Sequence, residues 1–204
     1  MRPSPPGHQQ PIRYDRASAL RYAHAHWNSV CSDGKISLRN GHIDVPPGTT
    51  FVFAPDRSER ARKPSGVEII ANFDDCTHFI SCCIGRPPGP PAGGLTIPSR
   101  PGSEPPRGPY GLVSVRELLN YLRSNRIARA ITTDSSDTSA IAQLAPGDLI
   151  CYSDARGIPS HFVMYAGNQK IVCHTYSRSD TSGDDASWEL GYPGWAWTLL
   201  RMPS

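Results

Sequence analysis

A chain of 204 residues with 38% hydrophobic and 19% charged residues is long enough to bury one substantial core and short for two. Its 21 Pro and 18 Gly cluster rather than recur with a period, which excludes a collagen-like fibre and argues against a compact all-helical bundle. The net charge of +3 is small and dispersed, so a nucleic-acid partner is not expected, and no apolar run approaches the roughly 18 residues that cross a bilayer.

Residues 1–13 carry four Pro and few apolar side chains and read as an arm or linker, which leaves residues 14–204 as the domain. The first ten residues lack the apolar core of a secretory signal, so a soluble protein that starts in the cytoplasm of its producer is expected. From Asp15 to Trp27 the positions Ala19, Leu20, Tyr22, Ala23 and Trp27 recur at helical steps, with Asp15 as N-cap. Residues 31–66 read as loop around two short β-like pieces, Lys35 to Leu38 and Thr49 to Phe53.

A second helix follows Asp74 or Asp75, with Phe79, Ile80, Cys83 and Ile84 on its apolar face, and Gly85-Arg-Pro-Pro ends it. Residues 85–109 hold nine Pro and six Gly and are expected to wrap the surface as an extended loop. Ser114 with Glu117 three residues later is a capping box for a third helix, whose apolar face holds Val115, Leu118, Leu119 and Leu122. Pro146-Gly147 then turns into a strand through Tyr152, and strand-like runs at His161 to Ala166 and Lys170 to Tyr176 are joined by Gly167-Asn-Gln. Helices first and antiparallel strands afterwards is an α+β arrangement.

Of the six cysteines (Cys31, Cys76, Cys82, Cys83, Cys151, Cys173), several lie in apolar runs and read as reduced core residues. Cys76 stands apart because it opens the second helix, where unpaired N–H groups and the helix dipole favour a thiolate. A nucleophilic cysteine needs a base. His161 fits, since it follows a flexible loop and begins an apolar strand. A two-residue turn at Gly167-Asn168 would set His161 directly opposite His174, and a four-residue loop would leave His174 on a diagonal, so His174 is the candidate to orient the base. The alternatives are a structural Cys76 and an ordinary strand histidine at 174. Cys76-x-His78 and Cys82-Cys83 match no structural zinc spacing, and no metal or cofactor is expected.

Tyr14-Asp-Arg-Ala-Ser-Ala-Leu-Arg-Tyr-Ala-His-Ala-His-Trp27, Phe73-Asp-Asp-Cys-Thr-His-Phe-Ile-Ser81, Pro146-Gly-Asp-Leu-Ile150, Ser160-His-Phe-Val-Met-Tyr165 and His174-Thr175, taken in order, resemble the motifs of the putative amidase domain family. That family groups with the NlpC/P60 and CHAP enzymes, papain-like cysteine peptidases and amidases that act largely on bacterial cell-wall peptides. The resemblance implies a papain-like α+β fold with N-terminal helices packed on a C-terminal antiparallel sheet. It also implies Cys76 as nucleophile, His161 as general base and His174 as the third, orienting residue. Asp148 in the Pro-Gly-Asp turn is then structural. Two departures stand out: His78 occupies the usual Asn position, and residues 86–109 replace a shorter loop that carries a Gly pair, here Gly93-Gly94.

The function so implied is cysteine-dependent hydrolysis of an amide bond in a peptide or peptidoglycan substrate. Without a signal, the chain fits a toxin domain delivered by a secretion apparatus and countered by a cognate immunity protein. The alternatives are a papain-like protease, deamidase or transamidase acting on a cytoplasmic protein, and a non-catalytic binding module.

Overall fold

The structure is a computed structural model that describes residues 12–38, 41–53, 59–71, 73–97, 112–132, 137–174, 186–188 and 195–204. The arm expected over residues 1–13 therefore lies almost wholly outside the described residues.

Helix α1 (Arg16–His26) starts where the Asp15 carboxylate accepts hydrogen bonds from the Ser18 amide at 2.8 Å and the Ser18 hydroxyl at 2.7 Å. Its buried positions, Ser18, Ala19, Tyr22 and Ala23, keep the three- and four-residue steps read from the sequence. The region after it holds more strand than the sequence led us to expect. Strands β1 (Lys35–Leu38) and β2 (Gly41–Asp44) form a hairpin. Strands β3 (Thr50–Phe53), β4 (Glu59–Arg62) and β5 (Glu68–Ala71) form an antiparallel sheet of their own. A small core of Val30, Ile36, Val45, Phe51, Ala61 and Phe73 closes this region. The two β-like pieces read from the sequence are β1 and β3; β2, β4 and β5 escaped that reading because each strand is four residues long and β4, Glu-Arg-Ala-Arg, offers one apolar side chain.

Helix α2 (Cys76–Ile84) is buried at every position. Gly85 ends it by donating its amide to Ser81 O. The Pro/Gly-rich segment that follows does not simply wrap the surface: over its described part Ala92, Leu95 and Ile97 are buried. The Gly93 and Leu95 amides donate to the carbonyls of Cys83 and Ile84, and the Asp15 amide donates to Gly93 O, so the segment is clasped between the end of α2 and the start of α1. A Cβ at Gly93 would lie 2.7 Å from Ile84 O and closer still to the Tyr14 ring, so the close approach requires glycine. Residues 98–111 of the loop lie outside the described residues.

Helix α3 (Val115–Ser124) starts at the expected capping box: Ser114 Oγ accepts from the Glu117 amide at 3.4 Å, and Leu118, Leu119 and Leu122 are buried. The main sheet combines β6 (Arg129–Thr132), β7 (Leu149–Ser153), β8 (Pro159–Gly167), β9 (Lys170–Val172), β10 (Ala186–Ser187) and β11 (Ala196–Arg201) in the order β10-β9-β8-β7-β11-β6. Every pairing in it is antiparallel. The three helices pack on one face, where Leu149, Cys151, Phe162, Met164 and Val172 join the α1–α2–α3 core. On the other face Ile150, Tyr152, Val163, Tyr165 and Cys173 pack with Trp188 and the short 3-10 turn at Thr138–Gln143. The architecture is α+β, but the β3–β4–β5 sheet between α1 and α2 breaks the helices-first order.

Two turns fix how β7 and β8 run. Asp148 is fully buried: its carboxylate pairs with Arg16 and accepts from the amides of Ala145 at 2.8 Å and Met202 at 2.7 Å, a structural role as expected. At the other end of β8 the turn is Asn168-Gln169, both with positive φ (49° and 60°), a type I′ hairpin turn, and not Gly167-Asn168.

Candidate active site

Cys76 is the first helical residue of α2, and α2 packs across β8 and α1. Its sulfur accepts a hydrogen bond from the backbone N–H of Phe162, the residue after His161, and lies 3.7 Å from Thr77 Oγ1. Burial pushes the thiol up to about 12, against the lowering effect of those two hydrogen bonds. The helix N-terminus therefore does not by itself yield a thiolate here. Burial outweighs it, and ionisation requires a base.

His161 is buried at the start of β8, opposite Tyr152 of β7, with the two rings 6.5 Å apart. Phe162 faces the helices, so strand alternation turns His161 toward the Tyr152 side of the sheet. The sulfur of Cys76 thus meets β8 at the amide of the residue next to His161.

The expected pairing of His161 with His174 is corrected by the register. Met164 faces Val172 and Tyr165 faces Ile171, with an irregularity before Gly167 opposite Lys170. Continued two residues past β9, that register sets His174 beside Phe162. The turn at Asn168-Gln169 shifts the pairing by two residues from the expected one and the irregularity between Tyr165 and Gly167 takes one back, so the net change is one residue, which in a strand exchanges the faces. His174 accordingly points into the helical side. It stacks on Phe79 with centroids 3.8 Å apart and meets Phe51 edge-on at 4.7 Å. Its Nδ1 bonds Asp75 Oδ2 at 2.7 Å and its Nε2 donates to His26 O at 2.6 Å.

Asp75, which the sequence offered only as a helix cap, is the hub of the site. It makes no side-chain cap bond. Its fully buried carboxylate instead accepts from the Ser37 amide of β1 at 2.6 Å, and pairs with His78 Nδ1 at 2.9 Å and His174 Nδ1 at 2.7 Å. Burial alone would raise its pKa. The charge of His78 and the hydrogen bonds from His174 and His78 overcome this and hold it well below the usual carboxylate range. His78 continues the chain through Nε2 to Asp33 Oδ2 at 2.8 Å. Burial works against its charge, yet Asp75 and Asp33 keep its pKa well above the ordinary histidine value. The result is a buried row, Asp33–His78–Asp75–His174, tying the turn after α1, helix α2 and the end of β9 together immediately beside Cys76.

No sequence spacing announces this row, since its members lie 45 and 99 residues apart in the long links. The one local sign was His78 three residues after Asp75, which puts the two on adjacent turns of the helix face. The six cysteines are all buried and none is in a disulfide. A cleft of about 570 Å³ lined by Arg13, Arg16, Arg86 and the Gly93-Gly94 pair lies apart from Cys76 and shares no residue with the row.

Comparison with known proteins agrees with this arrangement of motifs. The family described as a putative amidase domain matches residues 13–192, which spans α1, the Cys76 segment, the β7–β9 meander and His174. The chain belongs to that family. No curated protein and no solved structure matches it. Membership in an amidase family points to hydrolysis of amide bonds. Among the described residues, no helix is long and apolar enough to cross a membrane.

Proposed function

We propose that this amidase-family chain is a papain-like, cysteine-dependent hydrolase in which Cys76 is the nucleophile and His161 the general base, acting on peptide amides of bacterial peptidoglycan. The observation that carries the reading is the position of the sulfur: first turn of α2, held by the Phe162 amide against the backbone of β8, one residue from His161 near the start of that strand.

In the first step the His161 imidazole takes the Cys76 proton as the sulfur attacks the amide carbonyl, and the tetrahedral oxyanion forms at the N-terminus of α2. The Cys76 amide, which as the first N–H of the helix has no intrahelical acceptor, is a donor there. Imidazolium then protonates the leaving amine, which leaves a thioester on Cys76. Water, deprotonated by His161, attacks the thioester, the C–S bond breaks to release the carboxylic acid, and the imidazolium returns its proton to the Cys76 sulfur. Because burial holds the resting thiol protonated, proton transfer and attack are coupled.

His174 acts here as a positioning residue rather than a direct partner of the base. Its bonds go to Asp75 and to the His26 carbonyl. Through Asp75 it fixes the residue that precedes Cys76, and hence the direction in which the sulfur leaves the helix.

The test is digestion of purified peptidoglycan with the products identified by mass. Wild-type protein should release peptide fragments with new amino termini. Folded Cys76→Ala and His161→Ala proteins should release essentially none, because each removes a group that the chemical step needs. Turnover of Cys76→Ala within a few-fold of wild type would refute the nucleophile.

A further inference from the structure

We propose that Cys31, Asp33, His78 and Cys82 are the four ligands of a structural zinc ion, with Asp75 holding the ligand histidine in place. His78 and Cys82 sit four residues apart on one face of α2. Cys31 and Asp33 come from the tight turn after α1, which is closed by the Gly34 amide donating to Cys31 O at 2.9 Å and tied to α1 by the Ser32 amide on Tyr22 Oη at 2.9 Å. The local spacings Cys76-x-His78 and Cys82-Cys83 carry no zinc signature. The fold makes the set by bringing in a second pair from about fifty residues upstream.

The donor atoms are already gathered. Those of Cys31, His78 and Cys82 lie within 4.8 Å of one another. Cys82 Sγ is 3.5 Å from His78 Nε2, and Asp33 Oδ2 is 2.8 Å from that nitrogen and 3.9 Å from the sulfur. Zinc–sulfur bonds of about 2.3 Å and zinc–nitrogen bonds of about 2.0 Å at tetrahedral angles place S and N about 3.5 Å apart, so small movements complete the shell. The orientation of the histidine also fits: His78 Nδ1 is on Asp75 Oδ1 at 2.9 Å, which fixes the ring and leaves Nε2 for the metal, the carboxylate–histidine–metal relay of zinc proteins.

The chemistry selects the metal. Two thiolates with one imidazole and one carboxylate favour zinc over calcium or magnesium, and four protein ligands leave no position for a reactive water. Binding forms two metal–sulfur bonds, one metal–nitrogen bond and one metal–oxygen bond. It releases to solvent the two thiol protons and the Nε2 proton that His78 directs at Asp33. Cys31, His78 and Cys82 are buried, and the Asp33 side chain, 9% exposed, gives the ion its way in. Because Asp75 shares its carboxylate between His78 and His174, an ion here would tie the N-terminus of α2 to the turn after α1.

The experiment is metal analysis of the full chain purified with a thiol reductant and without chelator, followed by cobalt(II) titration of the zinc-free protein. About one zinc per chain is expected. Cobalt should give the intense visible bands of a tetrahedral site together with thiolate-to-cobalt charge transfer in the near ultraviolet. Cys82→Ser and Cys31→Ser should each weaken the charge-transfer band, Asp75→Asn should lower zinc affinity by roughly 10–100-fold, and Cys173→Ser should leave the spectrum unchanged. The wild-type spectrum stands without the variants, should any of them fail to fold. Wild-type protein that binds neither metal stoichiometrically overturns the site, as does a Cys31–Cys82 disulfide recovered by peptide mapping in place of the ion. Because the readouts are metal content and spectrum, the result is independent of whether Cys76 is catalytic.

Discussion

Replacing Asp75 with Ala tests the buried row directly. The carboxylate is fully buried and receives three hydrogen bonds, from the Ser37 amide and from the Nδ1 atoms of His78 and His174. Alanine leaves two buried histidines facing an empty volume with no acceptor, and removing one partner of a buried ion pair costs about 3–5 kcal/mol. At about 2–4 °C per kcal/mol for a domain of this size, the melting temperature should fall by about 10 °C. Asp75→Asn should cost less, about half, because its one carbonyl oxygen satisfies one histidine while its amide group opposes the other. The assay is urea unfolding followed by circular dichroism at fixed zinc, with the midpoint shifting and the slope unchanged. In a double-mutant cycle with His78→Leu, the two losses should fall short of additivity by about 1–3 kcal/mol. An Asp75→Ala loss below about 1 kcal/mol, or strict additivity in the cycle, would refute the hub.

Gly93→Ala should destabilise the chain by about 1–3 kcal/mol, read as a lower thermal midpoint, since the new Cβ meets Ile84 O and the Tyr14 ring; a neutral substitution would contradict the clasp. Asp148→Ala should cost about 3 kcal/mol in urea unfolding, because Arg16 and the amides of Ala145 and Met202 lose their shared acceptor inside the fold. Leu122→Ala, in the centre of the helix-side core, should cost about 2–5 kcal/mol by the same measurement. His174→Ala should lower kcat on peptidoglycan fragments while leaving residual turnover, and His174→Asn should restore part of it by keeping a donor for Asp75. Near-wild-type rates for both would make His174 an ordinary core residue.

The parts of the fold set by local chemistry could be read from the sequence. Asp15 and Ser114 announce their helices because an N-cap acts within one turn, and Pro146-Gly147 announces β7 because a positive φ, 88° at Gly147, is a property of one residue. The hairpin between β8 and β9 was legible as a hairpin but not in register: the turn at Asn-Gln rather than Gly-Asn shifts the pairing by two residues, and the irregularity between Tyr165 and Gly167, which no local residue pattern announces, takes one back and so moves His174 from beside His161 to beside Phe162. Asp75 and Asp33 were hidden for a different reason. A buried carboxylate is recognised by the partners that neutralise it, and these come from strands and helices far apart in the chain. Cys76 was visible because a helix start is local. Its burial, which raises rather than lowers the thiol, depends on β8 and could not be.

The central claim, that amide cleavage passes through Cys76, is tested most directly by trapping the intermediate. Wild-type protein mixed with peptidoglycan fragments is quenched in acid during turnover and mapped by mass spectrometry. The account predicts an acyl adduct on the peptide that carries Cys76, abolished in Cys76→Ala together with product release. An adduct on another residue, or product formed at an undiminished rate by folded Cys76→Ala, would contradict it.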